Sequence, residues 1–322
     1  MREILVEQFG GPEVMHLHER ETPAPGPGQV LVRQEAIGVN FIDVYRRTGL
    51  YNVPLPSVPG VEGAGTVEAA GRDVRGIRAG DRVAYVDGAG AYAEMALVSA
   101  DRAVRLPARI TFQQAAAVML QGMTAHYLVH DTCPIQKGDT VLIHAAAGGV
   151  GLLLVQAARM RGARVIATVS TPEKAELART AGAQEIILYT EKDFPQEVKR
   201  ITAQAGVKAV YDSVGVTTFL KGLDCLALRG MMVLFGQSSG KVGPIEPGLL
   251  APKSLFLTRP TLGHYVADSA SLQRRAGEVL QWVAGGRLKL RIGATFPLAE
   301  AAEAHRQLQA RTTTGKLLLV PR

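Results

Sequence analysis

The sequence predicts an α/β protein in which a mostly β module precedes a doubly wound parallel sheet with helices on both faces. Up to about residue 100, short apolar runs alternate with glycine and proline, and from about Thr111 helical and strand-like segments alternate. A glycine-rich turn also joins a buried strand to an apolar helix near Gly148. With 322 residues, of which 47% are hydrophobic, the chain can form two cores, so we expect two domains.

The N-terminal module is predicted from short strands separated by turns. Residues 29–34, 64–69 and 81–86 are apolar or alternating runs, whereas the proline-rich stretches 23–28 and 53–60 cannot continue a helix or a sheet. This part of the chain is therefore expected to be irregular and mostly β.

The second part alternates between helix and strand. Residues 112–132 are helix-rich, and short apolar strands are predicted at 140–145, 164–169, 185–189, 209–212, 231–235 and 255–258. Helical segments separate most of these strands, which is typical of a parallel sheet covered on both faces.

The tail contains two amphipathic helices and a final strand. The apolar residues that recur at helical spacing are Leu272, Ala276, Val279, Leu280 and Val283 in the first helix and Ala301, Ala304 and Leu308 in the second. The run 315–320 is a strand that needs an existing sheet to join.

The glycine turn has the pattern of a dinucleotide-binding site. Gly148 allows the backbone to approach a pyrophosphate, and Gly151 allows the helix and the strand to pack closely. Ala146 replaces the first glycine of the usual fingerprint, so the match is partial. Glycines in a buried turn also occur for backbone reasons alone.

The end of the next strand indicates which dinucleotide is bound. An NAD site has an acidic ribose partner about twenty residues after the glycines, but here the strand 164–169 is followed by Ser170, Thr171 and then Lys174. A lysine can pair with a 2′-phosphate, so we predict NADPH. The alternative is that Thr171 only caps a helix and that Lys174 is exposed near its start.

Composition restricts the class of protein. The net charge of +7 is spread along the chain and aromatic residues are 5% of the total, which favours a phosphate-bearing ligand over a nucleic-acid surface. No apolar run of membrane-spanning length occurs, and the two cysteines, Cys133 and Cys225, are expected to be reduced core thiols. We therefore expect a cytoplasmic protein with no membrane partner.

With these residues in view, the chain resembles the zinc-independent, zeta-crystallin-like quinone oxidoreductases of the medium-chain dehydrogenase/reductase superfamily. The motifs that carry the resemblance are Gly10-Gly-Pro-Glu-Val14, Pro25-Gly-Pro-Gly-Gln-Val-Leu-Val32, Gly38-Val-Asn-Phe-Ile-Asp-Val-Tyr45 with Arg47 and Gly49, Pro59-Gly-Val-Glu-Gly-Ala-Gly65, Gly80-Asp-Arg-Val83, Ala145-Ala-Ala-Gly-Gly-Val-Gly151, Tyr211-Asp-Ser-Val-Gly215 and Thr314-Gly-Lys316.

The resemblance implies a GroES-like catalytic domain, residues 1–125 and 264–322, with a Rossmann NADP-binding domain, residues 126–263, inserted in it and the cofactor in the cleft. It implies that Asn40 and Tyr45 face the nicotinamide and the substrate. The implied cofactor contacts are Asn40, Tyr45, Thr124, Ala147, Gly148, Gly149, Val150, Gly151, Ser170, Lys174, Tyr189, Phe235, Gly236 and Lys316. It also implies a homodimer, for which we expect the edge strand 255–258 to be the contact.

The same comparison argues against a metal. Zinc-dependent members carry histidine where this chain has Val61 and cysteine near Val39 and Asn40, and valine cannot bind zinc. His126 and His130 are four residues apart on a predicted helix but have no third ligand in the pattern, and His144 is expected to be a core residue.

Without a Lewis acid, a conjugated acceptor is easier to reduce than a simple ketone, because the oxyanion that forms is delocalised and needs only hydrogen-bond donors. Among such acceptors the resemblance implies a quinone, so the expected activity is transfer of hydride from NADPH to a quinone. An enone, an alkenal or an enoyl thioester is the alternative acceptor. A different class stays open as well: an NADPH-binding protein with a structural or RNA-binding role.

Overall fold

The computed structural model describes residues 1–86 and 90–321. Its backbone forms two compact units, one made of Met1–Met123 with Val266–Arg322 and the other of Thr124–Tyr265. The domain limits predicted from the sequence stay a prediction, because contact density and not independent folding defines these units.

The N-terminal part of the first unit is mostly β, as predicted. Its strands are β1 (Arg2–Val6), β2 (Met15–Glu19), β3 (Gln29–Val39), β4 (Glu62–Ala70), β5 (Arg82–Val86), β6 (Met95–Ser99) and β7 (Ala103–Arg105), and its helices are α1 (Phe41–Arg47) and α2 (Phe112–Tyr127). Strands β1 and β2 form an antiparallel pair. The sequence analysis missed both of these strands, as well as β6, β7 and the short helix α1.

The second unit contains the predicted parallel sheet. Its elements are β8 (Thr140–Ile143), α3 (Gly149–Met160), β9 (Arg164–Val169), α4 (Pro172–Thr180), β10 (Glu185–Leu188), α5 (Phe194–Ile201), β11 (Val207–Asp212), α6 (Phe219–Asp224), β12 (Leu226–Leu234), β13 (Phe256–Thr258) and α7 (Leu262–Tyr265). The strand order is β10-β9-β8-β11-β12-β13, and every pairing along it is parallel.

This order places the reversal of the chain between β8 and β11. From β8 the chain adds β9 and β10 on one side, then returns to add β11, β12 and β13 on the other side. Right-handed crossovers in opposite directions put helices on both faces of such a sheet, so the doubly wound architecture is confirmed. Ligands of this architecture bind at the carboxyl ends of the strands beside the reversal.

Gly230 lies inside β12, which the sequence analysis placed at residues 231–235. The register between β11 and β12 shifts where Arg229 adopts a left-handed φ of 56°. A Cβ on Gly230 would lie 3.0 Å from the carbonyl oxygen of Ala227. Because the strand continues through this bulge, β12 begins at Leu226 and not at residue 231 as predicted.

The last part of the chain completes the sheet of the first unit. It consists of α8 (Ser269–Ala284), β14 (Ile292–Pro297), α9 (Ala301–Gln309) and β15 (Lys316–Val320). Strand β15 pairs antiparallel with β3, with Leu317 opposite Val39, so the predicted strand joins an N-terminal sheet. The order is β14-β15-β3-β4-β5-β7, and β6 also pairs with β3.

Each unit has its own apolar core. Buried side chains such as Val30, Ile37 and Leu319 fill the first, and Leu142, Ile166 and Phe219 belong to the second. Among the described residues, no helix is both long enough and apolar enough to cross a bilayer.

Candidate functional site

The glycine turn of the second unit is held together by a hydrogen bond within its own backbone. Gly148 caps α3 and donates its N–H to the carbonyl of Ala145 at 2.9 Å. A Cβ on Gly151 would lie 2.3 Å from the same carbonyl oxygen, a distance that no real side chain tolerates. Gly151 therefore lets α3 approach β8, as the pattern predicts, and the N–H groups of the first turn of α3 stay available for an anion.

The left-handed residue of this turn is Ala145, with a φ of 50°. Ala146, which replaces the first glycine of the fingerprint, is fully buried and donates its N–H to the carbonyl of Thr168. A non-glycine residue in this conformation stores strain of about 1 kcal/mol. Such strain is often found at ligand sites.

Ser170 and Lys174 meet at the end of β9. The ammonium of Lys174 donates to the Ser170 hydroxyl at 3.2 Å, and the Thr171 hydroxyl accepts the Lys174 backbone N–H at the start of α4. Thr171 thus caps the helix, and Lys174 turns back toward Ser170, whereas contact of Lys174 with a 2′-phosphate stays a prediction. Tyr189, which is 46% exposed, follows the neighbouring strand β10.

The ends of β11 and β12 form a tight backbone arrangement. The buried carboxylate of Asp212 accepts the N–H groups of Val214 and Gly215 and the Thr218 hydroxyl. Phe235 donates its N–H to the Asp212 carbonyl at 2.8 Å. A Cβ on Gly236 would lie 2.6 Å from the Ser213 carbonyl oxygen, so close approach of two chain segments requires glycine there.

These features fit a dinucleotide. Gly148 carries no side chain at the N-terminus of α3, where a pyrophosphate would bind, and the Ser170–Lys174 pair offers a hydroxyl and a cation to a phosphate. Glu173 is the carboxylate nearest to Lys174 in the sequence, and its side chain is hydrogen-bonded to Thr171.

Asn40 of the first unit lies in a buried polar cluster. Its side-chain Nδ2 donates to Glu62 Oε1 at 2.6 Å, and its Oδ1 accepts the ammonium of Lys316 at 2.8 Å. Gln121 donates to the same Oδ1 at 3.3 Å. The orientation of the Asn40 amide is therefore fixed by hydrogen bonds at both ends.

Lys316 and Glu62 form an ion pair inside this cluster, with side-chain exposures of 2% and 0%. The second carboxylate oxygen of Glu62 accepts the Leu120 N–H at 2.7 Å. Gly38 is needed beside them, because a Cβ there would lie 2.3 Å from Glu62 Oε1. The resemblance assigns Lys316 to the cofactor, and the structure places its ammonium against Asn40 and Glu62, so contact with the cofactor stays a prediction.

The sequence analysis missed four members of this network. Asp43 accepts the Asn40 backbone N–H and the Tyr92 hydroxyl, and Tyr92 is bonded to His305, which is bonded to Arg47. Asp43 lies within the motif 38–45, and Arg47 lies two residues after it. Tyr92 and His305 belong to no motif that could have predicted their place in the site. Only the fold brings them together.

Tyr45 is a mostly buried aromatic residue of α1. Its ring lies 5.3 Å from that of Tyr51, edge to face, and 6.0 Å from that of Phe41. Thr124 is buried in α2. The structure thus puts Asn40 at the start of α1 and Tyr45 one turn later, and their contact with a substrate stays a prediction.

The donor set does not fit zinc. Val61 carries no donor, and the Glu62 carboxylate is already paired with Lys316. The rings of His126 and His130 stack at 4.2 Å, and the described residues hold no group of three or more potential ligands. His144 is a buried residue bonded to Thr168 at 2.8 Å, and burial lowers its pKa. Cys133 and Cys225 are buried free thiols.

Comparisons with known proteins agree with this architecture. Residues 26–108 match the alcohol dehydrogenase GroES-like domain, and residues 149–284 match the family described as zinc-binding dehydrogenase. The structure of Escherichia coli quinone oxidoreductase complexed with NADPH superposes with a TM-score of 0.98 at 43% identity and covers 100% of both chains.

Two curated relatives extend the comparison along the sequence. The quinone oxidoreductase of Pseudomonas aeruginosa is 48% identical over 316 residues, which is 97% of each chain. The 2-haloacrylate reductase of a Burkholderia species is 42% identical over 327 residues, which is 98% of each chain. The chain therefore belongs to the quinone oxidoreductase branch of the medium-chain dehydrogenase/reductase superfamily.

Proposed function

We propose that this protein is an NADPH-dependent quinone oxidoreductase that transfers hydride from NADPH to a quinone without a metal. The observation that carries the cofactor choice is the Ser170–Lys174 pair at the end of β9. The names of the relatives support the acceptor, since quinone oxidoreductases of 43% to 48% identity match nearly the whole chain.

The second unit holds the cofactor in this proposal. The turn Ala147–Gly151 contacts the pyrophosphate through backbone N–H groups and the helix N-terminus. Ser170 and Lys174 bind the 2′-phosphate, and Tyr189 covers the adenosine end. Phe235 and Gly236, at the end of β12, complete the contacts of this unit.

The first unit supplies the residues near the reacting groups. When bound, the reduced nicotinamide supplies the hydride. Asn40 and Tyr45 orient the acceptor and the nicotinamide, and Thr124, the first residue of the second unit, lies near the nicotinamide in this assignment. Asn40 accepts from Lys316 at its amide oxygen and donates from its amide nitrogen to Glu62 and Gly38, so it acts as a positioning side chain in this proposal. The Tyr45 hydroxyl is the donor to the acceptor oxygen. An acceptor oxygen that gains negative charge is stabilised by such a donor.

A turnover assay tests the proposal. The purified protein should oxidise NADPH steadily with 1,4-benzoquinone or a naphthoquinone and should oxidise NADH much more slowly under the same conditions. Equal rates with NADPH and NADH would contradict the cofactor assignment. No turnover with any quinone, enone or enoyl thioester would contradict the reductase assignment.

A conjugated acid is the second candidate acceptor. The observation that favours it is the 42% identity to 2-haloacrylate reductase over 98% of both chains. The same donor would act on an enoate, because hydride addition to its β-carbon also places charge on oxygen. Comparison of kcat/KM for a quinone and for 2-chloroacrylate distinguishes the two acceptors.

We also propose a cytoplasmic homodimer. Strand β13 is the edge strand of the parallel sheet, and Phe256 on it is 51% exposed. An exposed, apolar edge strand is suited to pairing with a second copy of the same strand. Both cysteines are buried free thiols, a state that the reducing cytoplasm preserves.

A further inference from the structure

A chain of buried hydrogen bonds leads from Arg47 to Asn40 in the first unit. Arg47 Nη1 lies 3.0 Å from His305 Nδ1, and His305 Nε2 lies 3.0 Å from the Tyr92 hydroxyl. That hydroxyl is 3.0 Å from Asp43 Oδ2, which also accepts the Asn40 backbone N–H at 2.9 Å. All five residues are buried, and they come from α1, α9 and the segment before β6.

The donor and acceptor groups allow only one direction of donation along this series of hydrogen bonds. A guanidinium only donates, so His305 Nδ1 accepts from Arg47. Burial and, to a lesser extent, the charge of Arg47 lower the pKa of His305 to about 3, so the ring is neutral near pH 7. The neutral ring then carries its proton on Nε2 and donates to Tyr92, whose own proton is left for Asp43.

Asp43 is held on one side only. Oδ2 receives the two donors, whereas Oδ1 is buried and has no hydrogen-bond partner among residues 1–86 and 90–321. The acceptor for the Asn40 N–H is therefore fixed in place by Tyr92. Because Asn40 caps α1, this bond orients both the Asn40 residue and the first turn of the helix.

The surroundings are adapted to Tyr92 and to Arg47. Gly60 has a φ of +91°, and a Cβ on it would lie 2.3 Å from the Tyr92 ring, so this glycine makes room for the tyrosine. Arg47 is anchored independently, through the Gly10 carbonyl at 3.2 Å and the Gln309 side chain at 2.8 Å. Arg47, at one end of this series of hydrogen bonds, is thus held in place as well as Asn40 at the other end.

We propose that Asp43, Tyr92 and His305 are positioning residues that hold Asn40 and the start of α1 in the orientation that hydride transfer requires. The inference rests on the role of Asn40 in the proposed function. These three residues act through Asn40 and need not touch the substrate or the cofactor.

The arrangement has a consequence for pH. The pKa of Asp43 is raised to about 7, because burial outweighs the opposing effects of the hydrogen bonds from Asn40 and Tyr92 and of the charge of Lys316, and the charge of Glu62 raises the pKa as well. The groups that face Asp43 are thus Tyr92, Lys316 and Glu62, with His305 and Arg47 behind Tyr92. The ionised carboxylate accepts both donors more strongly than the neutral acid, so kcat/KM falls on the acid side.

The test compares Tyr92→Phe and Asp43→Asn with Tyr85→Phe. Tyr85 is a matched control because it is also a buried tyrosine of this unit, and its hydroxyl donates to Gln34 at 2.9 Å outside the chain of bonds. Quinone turnover and NADPH affinity are measured from about pH 5 to about pH 9, the range in which Asp43 should titrate. Far-ultraviolet circular dichroism checks that each variant is folded.

Tyr92→Phe should move the acid limb of kcat/KM upward by about one pH unit, since the carboxylate loses a donor. It should also lower kcat about 10-fold through misplacement of Asn40, with a much smaller effect on NADPH affinity. Asp43→Asn should abolish the limb, and Tyr85→Phe should leave it unchanged.

An acid limb that stays in place in folded Tyr92→Phe overturns the inference, even if Asp43→Asn does not fold. The same limb shift in Tyr85→Phe also overturns it, because the effect is then a general response to a lost buried hydroxyl. If the wild-type protein lacks quinone turnover, the proposed function fails. The acid limb is then measured with 2-chloroacrylate as the acceptor, and the inference requires the same ordering of the variants.

Discussion

Lys316 Nζ and Glu62 Oε1 form an ion pair that is almost completely withdrawn from water. Lys316 comes from the last strand of the chain and Glu62 from β4, and β3 lies between these two strands in the sheet. The pair also holds the Asn40 amide, since Lys316 donates to its oxygen and Glu62 accepts from its nitrogen. Two distant segments thus fix one side chain.

Replacing Lys316 by Met should destabilise the protein by about 3 to 5 kcal/mol, because Glu62 is left as a buried charge without its partner. Urea unfolding near pH 7 measures this loss. The double variant Lys316→Met with Glu62→Gln should recover about 2 kcal/mol of it, since no uncompensated charge remains. A double variant that is less stable than Lys316→Met would contradict this account.

Gly151→Ala should abolish NADPH binding or destabilise the second unit, because the new Cβ would lie 2.3 Å from the Ala145 carbonyl oxygen. Gly277→Ala is the matched control in α8, where nothing lies within 4 Å of the added Cβ. That change should stabilise the protein by about 0.5 to 1 kcal/mol. Thermal unfolding and NADPH titration of both variants check the pair, and equal behaviour would refute the close-packing role of Gly151.

Lys174→Glu should weaken NADPH binding about 10- to 100-fold and NADH binding very little, because only NADPH carries a 2′-phosphate. The control is Lys199→Glu, which makes the same charge change on an exposed position of α5. Titration followed by nicotinamide fluorescence measures both affinities. If Lys174→Glu weakens NADPH and NADH equally, Lys174 does not recognise the phosphate.

His305→Gln should change how stability depends on pH. The pKa of His305 is depressed to about 3 from 6.5, so its contribution is present above pH 6.5 and is lost as pH falls toward 3. The pKa of Asp43 is raised from 3.8 to about 7, so its contribution is present below pH 3.8 and is lost as pH rises through about 7. The two slopes oppose each other in the wild-type protein.

Glutamine removes only the histidine contribution. The stability of His305→Gln relative to wild type should therefore increase by about 3 kcal/mol between pH 6.5 and pH 4, as judged from the cited shift. Urea unfolding at several pH values gives the difference directly. A difference that does not depend on pH would show that His305 does not stay neutral.

Phe256→Glu should convert the proposed dimer to a monomer, because a charge on the edge strand β13 opposes strand pairing between two copies. Leu17→Glu is the control, since Leu17 is a similarly exposed apolar residue, at 46% against 51% for Phe256, on strand β2. Light scattering after size-exclusion chromatography gives the mass of each variant. A dimer that survives Phe256→Glu would remove β13 from the interface.

Local patterns were sufficient where neighbouring residues determine the structure. The glycine turn, the strand 164–169 and the Ser170–Lys174 segment each lie within a few residues, so period, glycine content and charge identified them. Even there the left-handed φ of Ala145 has no local signal, because it depends on how α3 packs on β8.

The sequence by itself determined the alternation of helices and strands, the class of cofactor expected and the lack of a zinc donor at Val61. Only the tertiary structure decided the surroundings of Asn40. Its partners lie 22, 81 and 276 residues away, and Tyr92 and His305 lie farther along the chain than any periodicity extends. Burial makes each unpaired polar group costly, so the pairing of these groups is a property of the packed core and has no signature in a local stretch of sequence.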